Sequence, residues 1–141
     1  MVNKSRVIKL LEDYKEWKIE CFECVQELDN NDNEKMKKML FHGMRAYFLD
    51  FHILCEDYIS ISLKELNKFK IGISAIEGME ILKEANFISE EFFEFYFISR
   101  KLRNRLAHRY KVPKDEDLLL NLKNNLKNIE ELELCITNLL K

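Results

Sequence analysis

Residues 36–59 of the chain have the sequence MKKMLFHGMRAYFLDFHILCEDYI, in which apolar side chains recur at steps of three and four. This spacing places them on one stripe of a 3.6-residue helix. The stripe lasts about six turns, which is long enough to cross a whole domain at about 1.5 Å per residue. The stretch therefore predicts one long amphipathic helix that spans the fold.

The sequence on either side adds two further helices. An apolar stripe of the same period runs over residues 7–28, and the polar residues 29–33 interrupt it, because short amide and carboxylate side chains favour turns. On the other side, Ser74 and Glu77 have the spacing of a capping box, which predicts a short helix as far as about Asn86.

The last third of the chain predicts two more helices. Ser89 is a good N-cap, and the two glutamates after it suit the positive end of a helix dipole. Pro113 should end that helix, and Asp115 can cap the last one, whose apolar stripe runs to Leu140. Five helices with short connections predict an all-α antiparallel bundle, with residues 1–141 as a single domain.

Composition and charge limit the class of protein. The 141 residues carry a net charge of −2, which excludes a globally basic nucleic-acid binder but leaves room for a local basic patch. No apolar run approaches the roughly 20 residues needed to span a bilayer, so a soluble protein without a membrane partner is expected.

The four cysteines suggest free thiols in a cytoplasmic protein, because the sequence begins without a cleavable signal pattern. Cys21-x-x-Cys24 has the spacing of half a zinc site, but no second Cys or His pair follows at ligand spacing. Both cysteines fall in the apolar pattern of the first helix. Core packing is therefore the favoured interpretation, and neither a metal nor any other cofactor is expected.

Basic residues are concentrated near the end of the fourth helix. Between Glu94 and Asp115 there is no acidic residue. The basic residues in that interval are Arg100, Lys101, Arg103, Arg105, Arg109, Lys111 and Lys114. In an acidic protein this concentration suggests an anion site with RNA phosphate as ligand, although a solvated helix face with cations near the negative end of the helix dipole is an equal alternative.

On a helical wheel of about 100° per residue, the fourth helix has two apolar faces. The core-facing set is Phe92, Phe95, Ser99, Leu102 and Leu106. Phe93 and Phe97 lie on nearly the opposite side, and that face turns polar at Asn104 and His108. Such a helix is either central in its bundle or packed against a second subunit, and we favour a homodimer with a polar cleft at its seam.

His108 and Arg103 are the candidate catalytic pair. An imidazole can both accept and donate a proton near neutral pH, and a guanidinium can stabilise the extra charge of a phosphorane. The two residues are about 140° apart on an ideal helix, which favours a site shared between two chains. His42 and His52 lack such neighbours and are expected to be structural or surface residues.

The segment Arg103-Asn104-x-x-x-His108-x-Tyr110 resembles the Arg-x(4–6)-His signature of HEPN domains, and most closely the HepT-like toxins of HEPN/MNT toxin–antitoxin pairs. The resemblance continues upstream through residues 75–91, AIEGMEILKEANFISEE, and loosely into the last helix. The chain departs from the pattern at Arg109, where relatives often carry an acidic residue, and this leaves its nucleotide preference open.

The resemblance implies a helical homodimer whose two motifs face each other and cleave RNA without a metal, leaving a cyclic phosphate. It also implies an antitoxin partner, a minimal nucleotidyltransferase that can transfer AMP to the tyrosine at the position of Tyr110. An alternative for this tyrosine is a packing role, since it falls near the core side of the wheel.

These expectations give a metal-independent endoribonuclease toxin of a type II pair. Catalysis is assigned to His108 as general acid or base, Arg103 as phosphate ligand and Asn104 as the residue that orients the phosphate. The residues expected to bind the RNA backbone are Arg100, Lys101, Arg105, Arg109 and Lys111. Two alternatives remain: a non-catalytic, substrate-binding partner of a nucleotidyltransferase, and a purely structural helical adaptor.

Overall fold

Six α-helices make up the computed structural model, which describes residues 2–141. They are α1 (Lys4–Asn30), α2 (Glu34–Glu65), α3 (Ala75–Glu84), α4 (Glu90–Ala107), α5 (Asp115–Lys123) and α6 (Leu126–Asn138). No strand occurs among these residues, which confirms the predicted all-α class. Over the same residues, none of the helices has the length and apolar character needed to cross a bilayer.

Side-chain caps fix where the first four helices begin. Asn3, Asn33, Ser74 and Ser89 each accept a hydrogen bond from a backbone N–H in the first turn of the helix that follows. Such caps satisfy donors that have no partner inside the helix. The hydroxyl of Ser74 also donates to the Glu77 carboxylate. The predicted starts of α3 and α4 are therefore confirmed.

The prediction of one continuous last helix was wrong, because that segment forms both α5 and α6. The break falls at Asn124 and Asn125, where the Asn125 amide donates to the carbonyl of Asn121 and accepts from Asn128. Short amide side chains compete with the helical ladder for backbone partners, and here two of them occur in sequence. The bundle therefore has six helices instead of about five.

Asp115 does not cap the last part of the chain, which corrects a second expectation. The N-cap position of α5 is Lys114, which makes no side-chain cap, and Asp115 lies inside the first turn. Its two carboxylate oxygens accept from Nε and an Nη of Arg45 at 2.6 and 2.7 Å. This bidentate pair fastens the start of α5 to α2.

Helix α2 lies at the centre of the bundle and contacts α1, α3, α4 and α5. Trp17 of α1 donates from its indole to the Tyr47 carbonyl of α2 at 2.8 Å, while the Tyr14 hydroxyl donates to the Ile129 carbonyl of α6. Helix α3 comes so close to α2 that a Cβ on Gly78 would lie 2.6 Å from Cγ2 of Ile59. The apolar stripe quoted above thus becomes the shared core of four neighbouring helices.

The two cysteines of α1 pack in or against the hydrophobic core, as the apolar pattern predicted. Cys21 is fully buried, and burial raises its pKa to about 12. Cys24 is half-buried and its thiol donates to the carbonyl of Leu40. Among residues 2–141 no group of three or more His, Cys, Asp or Glu side chains is placed to hold a metal ion.

His52 makes the central polar contact between α2 and α4. Its Nε2 lies 2.8 Å from the Ser99 hydroxyl, and both side chains are buried. The rings of Phe48, Phe51 and Tyr96 surround the imidazole at centroid distances of 5.4 to 5.6 Å. The expected structural role of His52 is confirmed, and its burial makes the bundle sensitive to pH.

Acid should weaken the fold through His52. Burial, and then the charges of Arg100 and Arg103, lower its pKa from 6.5 to about 3 in the folded chain. The unfolded chain therefore binds a proton below pH 6.5 that the folded chain excludes, and the free energy of unfolding falls with pH between about 6.5 and 3. At pH 5 we expect a loss of about 2 kcal/mol relative to pH 7.

Urea unfolding of the wild type, His52→Gln and His42→Gln at pH 7 and pH 5 measures this effect. His42 is exposed, so its variant should lose as much stability on acidification as the wild type. The His52→Gln variant should start less stable and lose about 2 kcal/mol less. Equal losses in all three proteins would contradict the assignment.

Candidate functional site

The basic segment, residues 100–114, covers the end of α4 and the short loop that leads to α5. Helix α4 ends at Ala107, and the backbone N–H of His108 donates to the Asn104 carbonyl. Arg109 has a φ of +53° and the N–H of Tyr110 donates to the Arg105 carbonyl. A left-handed residue directly after the C-cap, followed by an N–H that donates to the carbonyl five residues before it, defines the Schellman motif.

Arg109 occupies a position in this motif where glycine or asparagine is usual. The same motif ends α2 and α3, with Asn67 at φ +57° and Asn86 at φ +62°. A larger side chain in the left-handed region costs about 1 kcal/mol or more. Lys111, two residues on, is also left-handed with φ +44°. Two strained cationic residues therefore lie within four positions of His108.

Arg105 holds this loop in place. Its Nε donates to the Lys111 carbonyl at 2.8 Å, so the guanidinium closes the turn back onto the helix. Arg105 therefore has a structural role in the loop, and its role in RNA binding stays a prediction. The opposite end of the loop is held by the Arg45–Asp115 ion pair, and Pro113 between them is buried.

Arg103 and Asn104 are joined directly. An Nη of Arg103 donates to the Asn104 side-chain oxygen at 3.1 Å, and both residues are half-buried. Among the described residues no hydrogen bond links Arg103 to His108, in agreement with their wide separation on the wheel. Within one chain the structure therefore brings together Arg103 and Asn104, and leaves the His108 side chain exposed at the helix end.

Arg100 is directed toward α2 and is largely withdrawn from solvent. Its side chain is 12% exposed, and an Nη donates to the Glu56 carboxylate at 3.0 Å. Much of its charge is neutralised there. We therefore assign Arg100 to packing between α2 and α4 in the free chain, in addition to any contact with RNA. Sequence reasoning missed Glu56, because this partner lies 44 residues away along the chain.

The remaining predicted residues are open to solvent. Lys101, His108, Arg109, Tyr110 and Lys111 are all exposed. The ammonium groups of Lys101 and Lys111 lie over the rings of Phe97 and Tyr110 at 4.2 and 5.5 Å. Tyr110 is 64% exposed, which contradicts the packing alternative. Its phenol is accessible to another molecule.

The second apolar face of α4 is present as predicted. Phe93 and Phe97 pair at 6.3 Å between ring centroids and are half-buried, while Ile98, about 100° further round the helix than Phe97, is 59% exposed. On the core side Phe92, Phe95, Ser99 and Leu106 are buried, Leu102 is half-buried, and Tyr96, which the wheel did not include, is buried as well. The exposed apolar face continues toward the basic end of the helix.

A comparison with protein families gives a match over nearly the whole chain. The family model described as Ribonuclease HepT-like matches residues 8–134, which is nearly the whole chain and includes every residue of the basic segment. No curated protein and no solved structure shows significant similarity. Because the match covers far more than half of its length, the chain belongs to the HepT-like ribonuclease family.

Proposed function

We propose that this chain is a metal-independent endoribonuclease, the toxin of a type II toxin–antitoxin pair, and that a nucleotidyltransferase antitoxin neutralises it. The observation that carries the proposal is the exposed His108 at the end of α4, beside the joined Arg103 and Asn104, in a chain of the HepT-like ribonuclease family. Family membership supports RNA as the substrate.

The chemistry needs only proton transfer and charge stabilisation. RNA holds its own nucleophile, the 2′-hydroxyl, next to the phosphate, so proximity is supplied by the substrate. His108 accepts the 2′-hydroxyl proton or donates one to the departing 5′-oxygen. Arg103 stabilises the negative charge that develops on the phosphorane, and Asn104, whose side-chain oxygen accepts from that guanidinium, orients the phosphate. The products are a 2′,3′-cyclic phosphate and a 5′-hydroxyl.

We propose that a homodimer completes the site. Arg103 makes no hydrogen bond to His108 within the chain, and the half-buried Phe93 and Phe97 on the second face of α4 leave apolar surface open to a partner. A two-fold axis beside this face would bring each Arg103 toward the His108 of the other chain.

The exposed cations around the motif suit the RNA backbone. Lys101, Arg109 and Lys111 are solvent-exposed, so they can exchange bound counterions for phosphates. Arg105 keeps part of its guanidinium for the same purpose, while its Nε holds the loop. Cleavage should accordingly weaken as salt rises.

His108→Ala should abolish RNA cleavage measured in EDTA on a labelled single-stranded RNA. Loss of a general acid or base lowers the rate by about a hundredfold or more. His42→Ala is the matched control, because His42 is exposed on a different helix and should leave the rate unchanged. Circular dichroism and size-exclusion chromatography should be the same for both variants. Undiminished cleavage by His108→Ala would remove the assignment.

Mixing two inactive variants tests whether the site is shared. Arg103→Ala and His108→Ala homodimers should each be inactive. After subunit exchange, a heterodimer keeps one intact Arg103–His108 pair if the two residues come from different chains. We therefore expect recovery of up to about a quarter of the wild-type rate in an equal mixture. A mixture that stays inactive despite proven exchange would place the site within a single chain.

Tyr110 should be the residue that the antitoxin modifies. Incubation with the cognate nucleotidyltransferase and ATP should add one AMP to the phenol with release of pyrophosphate, which mass spectrometry of the Tyr110 peptide detects. The added bulk and negative charge beside His108 should block RNA cleavage. Tyr110→Phe should escape modification and remain toxic when the antitoxin is co-expressed. Modification at another residue, or protection of Tyr110→Phe cells, would contradict this role.

A further inference from the structure

A cavity of about 410 Å³ lies beside the basic segment, between α2, the start of α3 and α4. Its polar lining includes Glu56, Ser60, Arg100 and Asn104, and its apolar lining includes Phe69 and Ile73. The volume falls in the range of small-ligand pockets, about 300 to 1,000 Å³. The catalytic assignments above leave this space unused.

Asn104 connects the cavity to the phosphate site. Its side chain lines the cavity, and the same side-chain oxygen accepts from Arg103. Asn104 follows Arg100 by one turn of α4, and His108 follows Asn104 at the cap that ends the helix. A group bound in the cavity and a phosphate bound to Arg103 would therefore both contact Asn104 or its direct neighbour.

The cavity wall suits a neutral aromatic ring better than a second phosphate. Glu56 neutralises Arg100 and would repel an anion. Phe69 is 42% exposed, and because the Lys64 ammonium lies over its ring at 4.9 Å, the opposite ring face is the one left for a base. Isoleucines supply further apolar surface. RNA-binding proteins hold unstacked bases in this way, with an aromatic face for stacking and polar groups for the base edge.

We propose that this cavity is a nucleobase subsite, which stacks one base of single-stranded RNA on Phe69 and reads its edge with Glu56. The inference rests on the proposed ribonuclease function and adds to it a source of base preference. One carboxylate oxygen of Glu56 accepts from Arg100, so the second is left for the ligand. The exocyclic amino groups of guanine, cytosine and adenine can donate to this oxygen, whereas the one edge donor of uracil, N3–H, lies between two carbonyl oxygens that a carboxylate repels. The amino-bearing bases are therefore favoured over uracil.

Binding to RNA that cannot be cleaved tests the subsite apart from catalysis. The probes are fluorescein-labelled 2′-O-methyl hexamers, one of six uridines and others with a single guanine, cytosine or adenine, titrated with the full chain by fluorescence anisotropy. The wild type should bind at least one amino-bearing hexamer roughly tenfold more tightly than the uridine hexamer. Equal affinity for all hexamers would overturn the proposal.

Three variants assign the preference to the cavity. Phe69→Ala should remove most of the difference, whereas Ile71→Ala, which changes a 98% exposed residue two positions along the same loop, should keep it. Glu56→Gln still offers an oxygen to Arg100 but turns its other atom into a donor, so its preference should shift toward uracil. An unchanged preference in Phe69→Ala and Glu56→Gln would overturn the subsite.

The failure of one proposal is distinguishable from failure of the other. If His108→Ala abolishes cleavage while the Phe69 and Glu56 variants keep the wild-type base preference, the ribonuclease assignment holds and the subsite is rejected. If those variants alter binding as described but the wild type cuts no RNA, the subsite holds and the catalytic assignment is rejected. The Ile71→Ala control must follow the wild type in both measurements, and otherwise the cavity is not the cause.

Discussion

The rotation of α4 about its own axis is fixed by a buried polar contact with α2, and the site depends on that rotation. His52 and Ser99 meet in the core, and one residue further along α4 Arg100 pairs with Glu56. Hydrogen bonds of this kind add only about 1 kcal/mol each, but leaving one buried partner unsatisfied costs more. Any other rotation of α4 would therefore strand a buried imidazole or a buried guanidinium, and Arg103 is held at its angle as a result.

The end of α4 is as closely determined as its rotation. The Schellman motif, the Arg105 guanidinium on the Lys111 carbonyl and the Arg45–Asp115 pair all act on the seven residues between α4 and α5. A loop constrained at both ends keeps His108 in place without burying its side chain. The left-handed conformation of Arg109 is strained, but the hydrogen bonds on either side of it hold the backbone in that conformation. Backbone strain of this kind is common at functional sites.

Local signals made most of the fold predictable. The stripe in α2, the caps at Ser74 and Ser89 and the two faces of α4 depend on residues within a few turns of one another, so the sequence displays them directly. The split between α5 and α6 was missed although two consecutive asparagines marked it, because the apolar stripe continues through the break. The left-handed Arg109 was missed for a different reason, since arginine gives no signal of that conformation.

Contacts between distant residues could not be predicted in this way. Asp115 looked like a cap because its own neighbourhood suits one, but Arg45, 70 residues away, takes its carboxylate. Arg100 looked like a free cation until the fold brought Glu56 to it. A sequence pattern identifies which residues could carry charge to a site, but only the packed helices decide which charges are already neutralised.

That selection gives the basic segment two layers with different physical effects. The inner arginines, Arg100, Arg103 and Arg105, each donate a hydrogen bond within the chain, which fixes their positions, but only Arg100 has a carboxylate partner, so Arg103 and Arg105 keep their positive charge. The outer cations at Lys101, Arg109, Lys111 and Lys114 are exposed, and under the proposed function they exchange bound counterions for RNA phosphates. In the proposed ribonuclease the outer layer governs how strongly RNA is attracted and how steeply salt weakens its binding. In the same proposal the inner layer sets where along the RNA the backbone meets His108, because its hydrogen bonds fix positions that diffuse charge cannot.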